Sequence, residues 1–129
     1  MTARNVRKRF KPRVYIEYMA PALSKYSYIK SYSTADKALG KNKTKVIGNN
    51  TELVEDPSGS ISVELHGHRV LTFRRNNDIV LDSAGWKTST TKDRLNRYTP
   101  NSVSIHQRDG VWYVKVNGKE QEFRDGMVI

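Results

Sequence analysis

The sequence predicts an α+β fold, mainly antiparallel β, in which a small twisted sheet or barrel carries one or two short helices. Three observations lead to this prediction. Short alternating apolar runs recur from Ile61 onward, tight turn signals such as Asn117-Gly118 separate them, and few segments have the residues of a helix start. The chain has 129 residues and no cysteine, so a core must form without disulfides, and this length permits one.

The predicted strands are short and occupy the second part of the chain. They lie at residues 61–65, 70–73, 79–81, 103–105, 111–116 and 127–129. The turns between them are predicted at Gly67, 76–78, Asp109-Gly110, Asn117-Gly118 and Asp125-Gly126. Strands this short, joined by turns this tight, favour antiparallel neighbours.

One segment, residues 83–98, interrupts the strands. Thr90 and Asp93 have the spacing of a capping box, which predicts a helix over residues 91–98 with Leu95 facing the core. Two interpretations of this segment stay open. In one, the helix start, the upstream hydroxyls and three basic residues hold an anion; these residues are Lys92, Arg94 and Arg97. In the other, Trp86 anchors the core while Thr88 and Thr90 cap a connecting helix.

The positive charge is confined to the N-terminal part of the chain. The net charge is +10, and residues 1–50 contain twelve Lys and Arg against two acids, whereas residues 51–129 contain eleven of each sign. We therefore expect three regions. They are a basic flexible arm at residues 1–13, a basic Tyr-rich segment at 14–55 that packs on the body, and a neutral β-rich body at 56–129.

The first thirteen residues contain six basic side chains, no acid and little that could be buried. This composition favours an arm that binds phosphates over a tail that only increases solubility. The candidate binding residues of the arm are Arg4, Arg7, Lys8, Arg9, Lys11 and Arg13.

The Tyr-rich segment alternates over residues 25–33, which predicts a strand with Tyr26, Tyr28, Lys30 and Tyr32 on one face. These tyrosines are candidates for stacking on unpaired bases, although packing on the core is the more common role of a strand tyrosine. Ser33 or Thr34 is predicted to cap a helix at 35–39 that ends at Gly40. Residues 41–50 are then expected to be a turn-rich connection, and residues 51–60 a loop.

Several motifs of the body resemble a family of small proteins encoded in bacteriophage genomes. The resemblance covers about residues 60–129 and is carried by Gly-Trp-basic-Thr followed by Thr-Thr-Lys-x-Arg-x-Asn. In this sequence these residues are Gly85-Trp86-Lys87-Thr88 and Thr90-Thr91-Lys92-Asp93-Arg94-Leu95-Asn96, with Leu65-His66-Gly67, Trp112-Tyr113 and Phe123-Arg124-Asp125-Gly126-Met127. The resemblance implies a phage origin, hence the cytoplasm of a host bacterium, and implies no particular activity.

No pattern of catalytic or metal-binding residues stands out. His66 and His68 flank Gly67 in a predicted turn, and exposed turn histidines are favoured over a metal site completed by Asp82. There is no cysteine nucleophile, no serine in a Gly-x-Ser-x-Gly elbow, and no carboxylate pair that spacing alone identifies. We therefore expect no enzyme, no cofactor and no metal.

Charge and tyrosines together favour a basic accessory protein that binds nucleic acid with low sequence specificity. A second basic surface is expected at Arg69, Arg74, Arg75, Lys92, Arg94 and Arg97. The alternatives are an adaptor or inhibitor of a host complex, such as a polymerase, a nuclease or a defence machine, and a component of the virion. No apolar run approaches the roughly 20 residues of a membrane span, so no membrane partner is expected. The pattern leaves the oligomeric state open.

Overall fold

The computed structural model describes residues 25–129, which form two helices and nine strands in two antiparallel sheets. The helices are α1 (Tyr32–Leu39) and α2 (Ser89–Tyr98). The strands are β1 (Thr44–Gly48), β2 (Thr51–Glu55), β3 (Ile61–Leu65), β4 (His68–Phe73), β5 (Ile79–Leu81), β6 (Val103–Arg108), β7 (Val111–Val116), β8 (Lys119–Glu122) and β9 (Met127–Val128). The predicted α+β class with mainly antiparallel strands is confirmed.

Helix α1 begins earlier than the sequence pattern predicts, because Ser31 is its N-cap. The Ser31 Oγ accepts a hydrogen bond from the Thr34 N–H at 3.3 Å, and Thr34 Oγ1 accepts one from the Ser31 N–H at 3.0 Å. Gly40, at φ 61°, ends the helix as predicted, and its N–H donates to Asp36 O. The strand predicted over residues 25–33 is therefore wrong, since the capping box places Tyr32 inside a helix.

The larger sheet has six strands in the order β1-β2-β3-β4-β5-β9. Two of the predicted connections are wrong, because residues 41–50 contain β1 and residues 51–60 begin with β2. The turn residues that suggested a loop join these two strands as a tight hairpin, in which Asn50 has φ 51°. Within the described residues the sheet stays open between β1 and β9, so it is a twisted sheet and not a barrel.

The strands predicted at 61–65, 70–73 and 79–81 are confirmed and form consecutive antiparallel pairs. The last of them, β5, pairs with β9, which brings the end of the chain back to the sheet. Thr51 and Leu53 of β2 are buried, as are all residues of β3 except Glu64, and Leu53, Ile61 and Val63 are fully inaccessible to solvent. This face carries the main core.

The smaller sheet has the order β6-β7-β8, and two dipeptides that predict turns form its hairpins. Asp109-Gly110 joins β6 to β7, and Asn117-Gly118 joins β7 to β8 with φ of 51° and 84°. Positive φ at both positions is the requirement of a type I′ turn, which explains the preference for Asn-Gly. Trp112 is buried in this sheet and makes an edge contact with Phe123 at 5.5 Å between ring centroids.

Helix α2 lies between the two sheets in sequence and packs against β4 and β6. Its N-cap is Thr88, whose hydroxyl accepts from the Thr91 N–H at 3.2 Å, so the predicted Thr90–Asp93 capping box is wrong. The predicted burial of Leu95 is confirmed, and burial of one such side chain stabilises the fold by about 1.5–3 kcal/mol. Asn96 extends the attachment, because its amide exchanges two hydrogen bonds of 2.8 Å with the backbone of Ile105.

Candidate functional site

A cluster of lysines and tyrosines lies at the N-terminal end of the described residues. We call it the Lys–Tyr surface, and its members are Lys25, Tyr26, Tyr28 and Lys45. The ammonium groups of Lys25 and Lys45 lie 5.4 Å and 5.7 Å from the ring centroid of Tyr26. Tyr28 is 50 % exposed, and its ring centroid is 6.5 Å from that of Tyr26. Two cations and two aromatic rings thus share one patch.

A buried residue, a turn and the edge strand β1 hold the Lys–Tyr surface together. Ile29 is fully buried, and its N–H donates to Tyr26 O at 3.1 Å, which closes a turn that contains Tyr28. Tyr26 itself packs against the core, while Lys45 belongs to the edge strand β1. The turn and the strand therefore bring together residues twenty positions apart in sequence. Among residues 25–129, no carboxylate lies within ion-pair distance of Lys25 or Lys45.

Lys30 and Tyr32 do not join this patch, although the predicted strand placed both on the same face as Tyr26. The ammonium of Lys30 donates to Arg97 O at 2.9 Å and to Thr99 O at 3.3 Å, at the C-terminal end of α2. Burial lowers the pKa of Lys30, and the positive charge of Arg97 lowers it further. Tyr32 is half-buried and packs against the core. Of the three candidate tyrosines, Tyr28 has the most exposed ring.

The basic residues of α2 contact groups of the protein itself. Arg94 is buried, and its guanidinium donates to Thr51 Oγ1 at 2.9 Å, to Asn49 O at 3.2 Å and to the Asp93 carboxylate. Arg97 also reaches Asp93, at 3.4 Å. These contacts attach α2 to the turn between β1 and β2.

Lys92, on the exposed side of the same helix, donates to Gln107 Oε1 at 3.2 Å and lies over the Trp112 ring at 5.7 Å. Arg94 and Arg97 thus share Asp93, whereas Lys92 has neighbours of its own, so the structure does not gather the three basic residues of α2 into one cluster. Their predicted role in anion binding stays a prediction. The arm residues Arg4, Arg7, Lys8, Arg9, Lys11 and Arg13 lie outside the described residues.

A second candidate site is a cleft beside Trp86, which we call the Trp86 cleft. Trp86 is 60 % exposed, so the interpretation that it anchors the core is wrong; Trp112, at 2 % exposure, is the core tryptophan. The cleft has a volume of about 290 Å³. It is lined by Leu65, His66, His68, Val70, Ser83, Ala84, Trp86, Thr88, Thr90 and Thr91. The imidazole of His68 lies 6.4 Å from Trp86 between centroids.

Two shallower depressions adjoin this cleft, and His66 lines all three. One lies over the start of α2 and includes Asp93 and Arg94, which are paired with each other. The other lies against β1 and includes Glu52 and Glu64. The Trp86 cleft therefore differs from its neighbours in having no carboxylate among its lining residues.

The remaining candidates for metal or acid–base chemistry are dispersed. Asp82 accepts from the Ala84 N–H at 2.7 Å and so holds a turn. His106 lies on the other sheet and contacts Glu120 at 2.8 Å. Within residues 25–129, no group of three His, Cys, Asp or Glu side chains has the spacing of a metal site. No helix of this part of the chain is long and apolar enough to cross a membrane.

Residues 29–129 match the family described as "Kyanoviridae Gp96 protein", which is a family of phage proteins. The chain belongs to this family. No curated protein and no solved structure matches it. The matched region contains the whole Trp86 cleft and Lys45, and it begins one residue after Tyr28. The resemblance to phage proteins that the sequence motifs indicate is thereby confirmed at the level of the family, and it extends further toward the N-terminus than those motifs do.

The Trp86 cleft is the feature that sequence reasoning missed. The exposed ring results from the turn at Ala84-Gly85, where φ is 54° and 80° and the chain reverses before α2. A tryptophan next to a glycine carries no signal that separates an exposed ring from a buried one. The pairing of Lys45 with Tyr26 likewise depends on β1, which the sequence pattern did not predict.

Proposed function

We propose that this phage protein binds nucleic acid with low sequence specificity, using the Lys–Tyr surface as part of its binding face. The observation that carries the proposal is the half-exposed ring of Tyr28 beside a tyrosine flanked by two ammonium groups. Aromatic faces stack on bases of any identity, and each stacked base contributes about 1–3 kcal/mol. Lysines beside them neutralise phosphates without reading sequence.

The charge distribution supports the same proposal. Residues 25–50 contain six basic residues and one acid, so the Lys–Tyr surface lies within the basic part of the described chain. The six basic residues of the predicted arm precede it in sequence. Together they would give a strong dependence of affinity on salt, because each phosphate contact releases counterions. The same proposal makes the protein a non-enzymatic binder that acts in the cytoplasm of the host bacterium.

The test is a fluorescence-anisotropy titration of the full chain with labelled single-stranded DNA and RNA at several salt concentrations. The variant combines Lys25→Gln with Lys45→Gln. We expect the slope of log K against log salt to become shallower by about 1.4, because each contact contributes about 0.7 on a single strand. The matched control combines Lys115→Gln with Lys119→Gln, two exposed lysines of the other sheet, and should keep the wild-type slope.

Equal slopes for the two double variants would contradict the proposal, and so would wild-type binding that does not respond to salt. A pull-down from nuclease-treated bacterial lysate separates the alternatives. Capture of a host complex in stoichiometric amount, without any affinity for nucleic acid, would replace this proposal with the adaptor function. Detection of the protein in purified particles by mass spectrometry would indicate a virion component.

A further inference from the structure

Two tryptophans of the described chain differ sharply in exposure. Trp112 is 2 % exposed, whereas Trp86 is 60 % exposed and forms one wall of a cleft. A large aromatic side chain contributes most to stability when it is buried, so an exposed ring beside an apolar cleft commonly marks a ligand site. The fold therefore leaves Trp86 available to something other than its own core.

The turn that presents Trp86 is held by hydrogen bonds. Asp125 Oδ1 accepts from the Ser83 N–H at 2.8 Å, Asp82 Oδ1 accepts from the Ala84 N–H at 2.7 Å, and Ser83 O accepts from the Trp86 N–H at 2.8 Å. Ala84 is held at φ 54°, a conformation that costs a residue with a side chain of the order of 1 kcal/mol. The backbone that carries the exposed ring is thus fixed before any ligand arrives, which lowers the entropic cost of binding.

The shape and lining of the cleft limit the ligand. Its volume of about 290 Å³ is at the small end of ligand pockets, which fits a single flat ring system. Leu65, Val70 and Ala84 supply apolar surface, and Trp86 and His68 supply rings. Of the four hydroxyls in the lining, those of Thr88 and Thr91 hydrogen-bond each other at 3.1 Å and that of Ser83 accepts from the Gly85 N–H at 3.3 Å, which leaves the exposed Thr90 hydroxyl to meet a ligand. A hydroxyl both donates and accepts, so it accommodates either polarity on the edge of a heterocycle.

The lining of the cleft contains no carboxylate that would repel a ligand carrying phosphate. The carboxylates of Asp82 and Asp125 are engaged by the backbone N–H groups of Ala84 and Ser83, and that of Asp93 in the adjoining depression is engaged by Arg94 and Arg97. Lys87, which follows Trp86 in sequence, has an exposed side chain, so one cation adjoins the turn that presents the ring.

We propose that the Trp86 cleft holds one unpaired nucleobase of the bound strand, stacked on the Trp86 ring with its polar edge toward the Thr90 hydroxyl. This assignment rests on the proposed function and adds to it a preference for single strands, because a base within a duplex cannot reach the cleft without leaving its stack. Hydroxyl contacts of either polarity discriminate little among bases, which agrees with low sequence specificity.

The experiment follows the tryptophan emission and the affinity of the full chain. A short single-stranded oligodeoxyadenylate should quench the emission, and most of the quenching should vanish in Trp86→Phe, in which Trp112 remains. Trp86→Ala should weaken single-strand affinity by about five- to a hundredfold, which corresponds to the loss of one stacked base at about 1–3 kcal/mol. The same substitution should change duplex affinity by less than about twofold, since duplex contacts are to phosphate.

Two controls keep the result interpretable. Trp86→Phe retains a stacking face and should bind the single strand within about threefold of wild type, because any aromatic ring can stack. Urea unfolding of Trp86→Ala should show a midpoint close to that of wild type, because the ring is exposed. The variant with Lys25→Gln and Lys45→Gln should still be quenched at saturating oligonucleotide, which separates the cleft from the Lys–Tyr surface.

Wild-type binding that is unaffected by Trp86→Ala, with unchanged emission, would overturn the cleft proposal and leave the proposed function standing. A loss of duplex affinity equal to the loss of single-strand affinity would also overturn it. Wild-type protein that binds no nucleic acid at all would overturn both.

Discussion

Two sets of basic residues in this protein have opposite relations to the rest of the chain. In α2, Arg94, Arg97 and Lys92 contact an acid, carbonyl or amide oxygens, or a buried ring. In the Lys–Tyr surface, Lys25 and Lys45 lie over a tyrosine, and no carboxylate of the described residues is within ion-pair distance. A count of charges does not distinguish the basic residues of α2 from those of the Lys–Tyr surface. The groups that each side chain contacts do distinguish them, because a cation that holds the fold contacts oxygen atoms of the protein.

The net charge of the chain is likewise divided between two regions that differ in how far their charges are paired. The body from residue 51 is neutral because its cations and acids balance, and the structure shows several of them paired with each other. The excess in residues 25–50 is balanced only in part, since Asp36 is the one acid among six basic residues there and Lys43 alone of them forms an ion pair, with Glu55 of β2 at 3.6 Å, within the described residues. We therefore expect substitutions in α2 to change stability and substitutions in the Lys–Tyr surface to change binding.

The largest expected effect is on stability. Arg94→Met should lower the free energy of unfolding by about 2–4 kcal/mol, because Thr51 Oγ1 and Asn49 O lose a buried charged donor. Urea unfolding followed by circular dichroism measures this. Arg97→Met is the matched control, and its more exposed pair at 3.4 Å should contribute less than about 1 kcal/mol. Equal losses of unfolding free energy in Arg94→Met and Arg97→Met would show that the buried contacts of Arg94 do not set it apart from Arg97.

The second effect separates two tyrosines that the sequence placed on one face. Tyr28→Ala should weaken single-strand affinity about tenfold and leave the unfolding midpoint unchanged, because its ring is half exposed. Tyr32→Ala should do the reverse and lower stability by about 1–2 kcal/mol, because its ring packs against the core. Anisotropy and urea unfolding of both variants give the four values needed. If both variants lose affinity equally, Tyr32 also contributes to binding and the Lys–Tyr surface must be extended to include it.

Sequence reasoning succeeded where one residue type determines the local backbone. Asn117-Gly118 and Asp109-Gly110 make hairpins because their positive φ values suit Asn, Asp and Gly, and Ile61, Val63 and Leu65 alternate because one face of β3 lies in the apolar core. In residues 25–55 it placed the helix end at Gly40 correctly but failed on either side, first where the alternation of Tyr and Ser resembles a strand although the Ser31–Thr34 capping box starts a helix. Strands β1 and β2 are short and have few apolar residues, so they depend on pairing with each other and, for β2, with β3.

The candidate site was predictable only in part. The tyrosines and the basic character of the segment were visible in the sequence, yet their grouping was wrong, since Lys30 turns to the end of α2 and Lys45 joins from a strand. The exposure of Trp86 had no signal, because it depends on a turn held by Asp125, forty-two positions from Ser83. Contacts at such separation are determined by the fold as a whole.

Removing two positive charges from α2 and, separately, two from the Lys–Tyr surface should have different effects on binding. Lys92→Gln combined with Arg97→Gln should leave the salt slope of single-strand binding within about 0.3 of wild type, against the fall of about 1.4 expected for Lys25→Gln with Lys45→Gln. The physical reason is that the α2 side chains already contact Gln107 and Asp93. Slopes measured by anisotropy at several salt concentrations decide it. A shallower slope for the α2 pair would show that these cations contact phosphate after all, as the sequence pattern had suggested.

The smallest expected effect is on the pH dependence of stability, and it comes from the smaller sheet, where Glu120 contacts two basic side chains. It accepts from His106 Nε2 at 2.8 Å and from Arg108 at 3.1 Å. The hydrogen bond from His106, followed by that from Arg108, holds the pKa of Glu120 below its ordinary value of about 4.5. A carboxyl whose pKa is lower in the folded state contributes stability above its unfolded pKa and loses it as the pH falls through the folded pKa.

Glu120→Gln should therefore flatten the decline of Tm between about pH 5 and about pH 3, with little change at neutral pH beyond the loss of the pair itself. Glu122→Gln, an exposed residue of the same strand, is the matched control and should keep the wild-type acid decline. Thermal unfolding followed by circular dichroism across this range measures both. An acid decline in Glu120→Gln as steep as that of wild type would mean that the contacts of His106 and Arg108 with Glu120 contribute nothing to the fold. Arg108 would then belong with the available cations of the Lys–Tyr surface and not with those of α2.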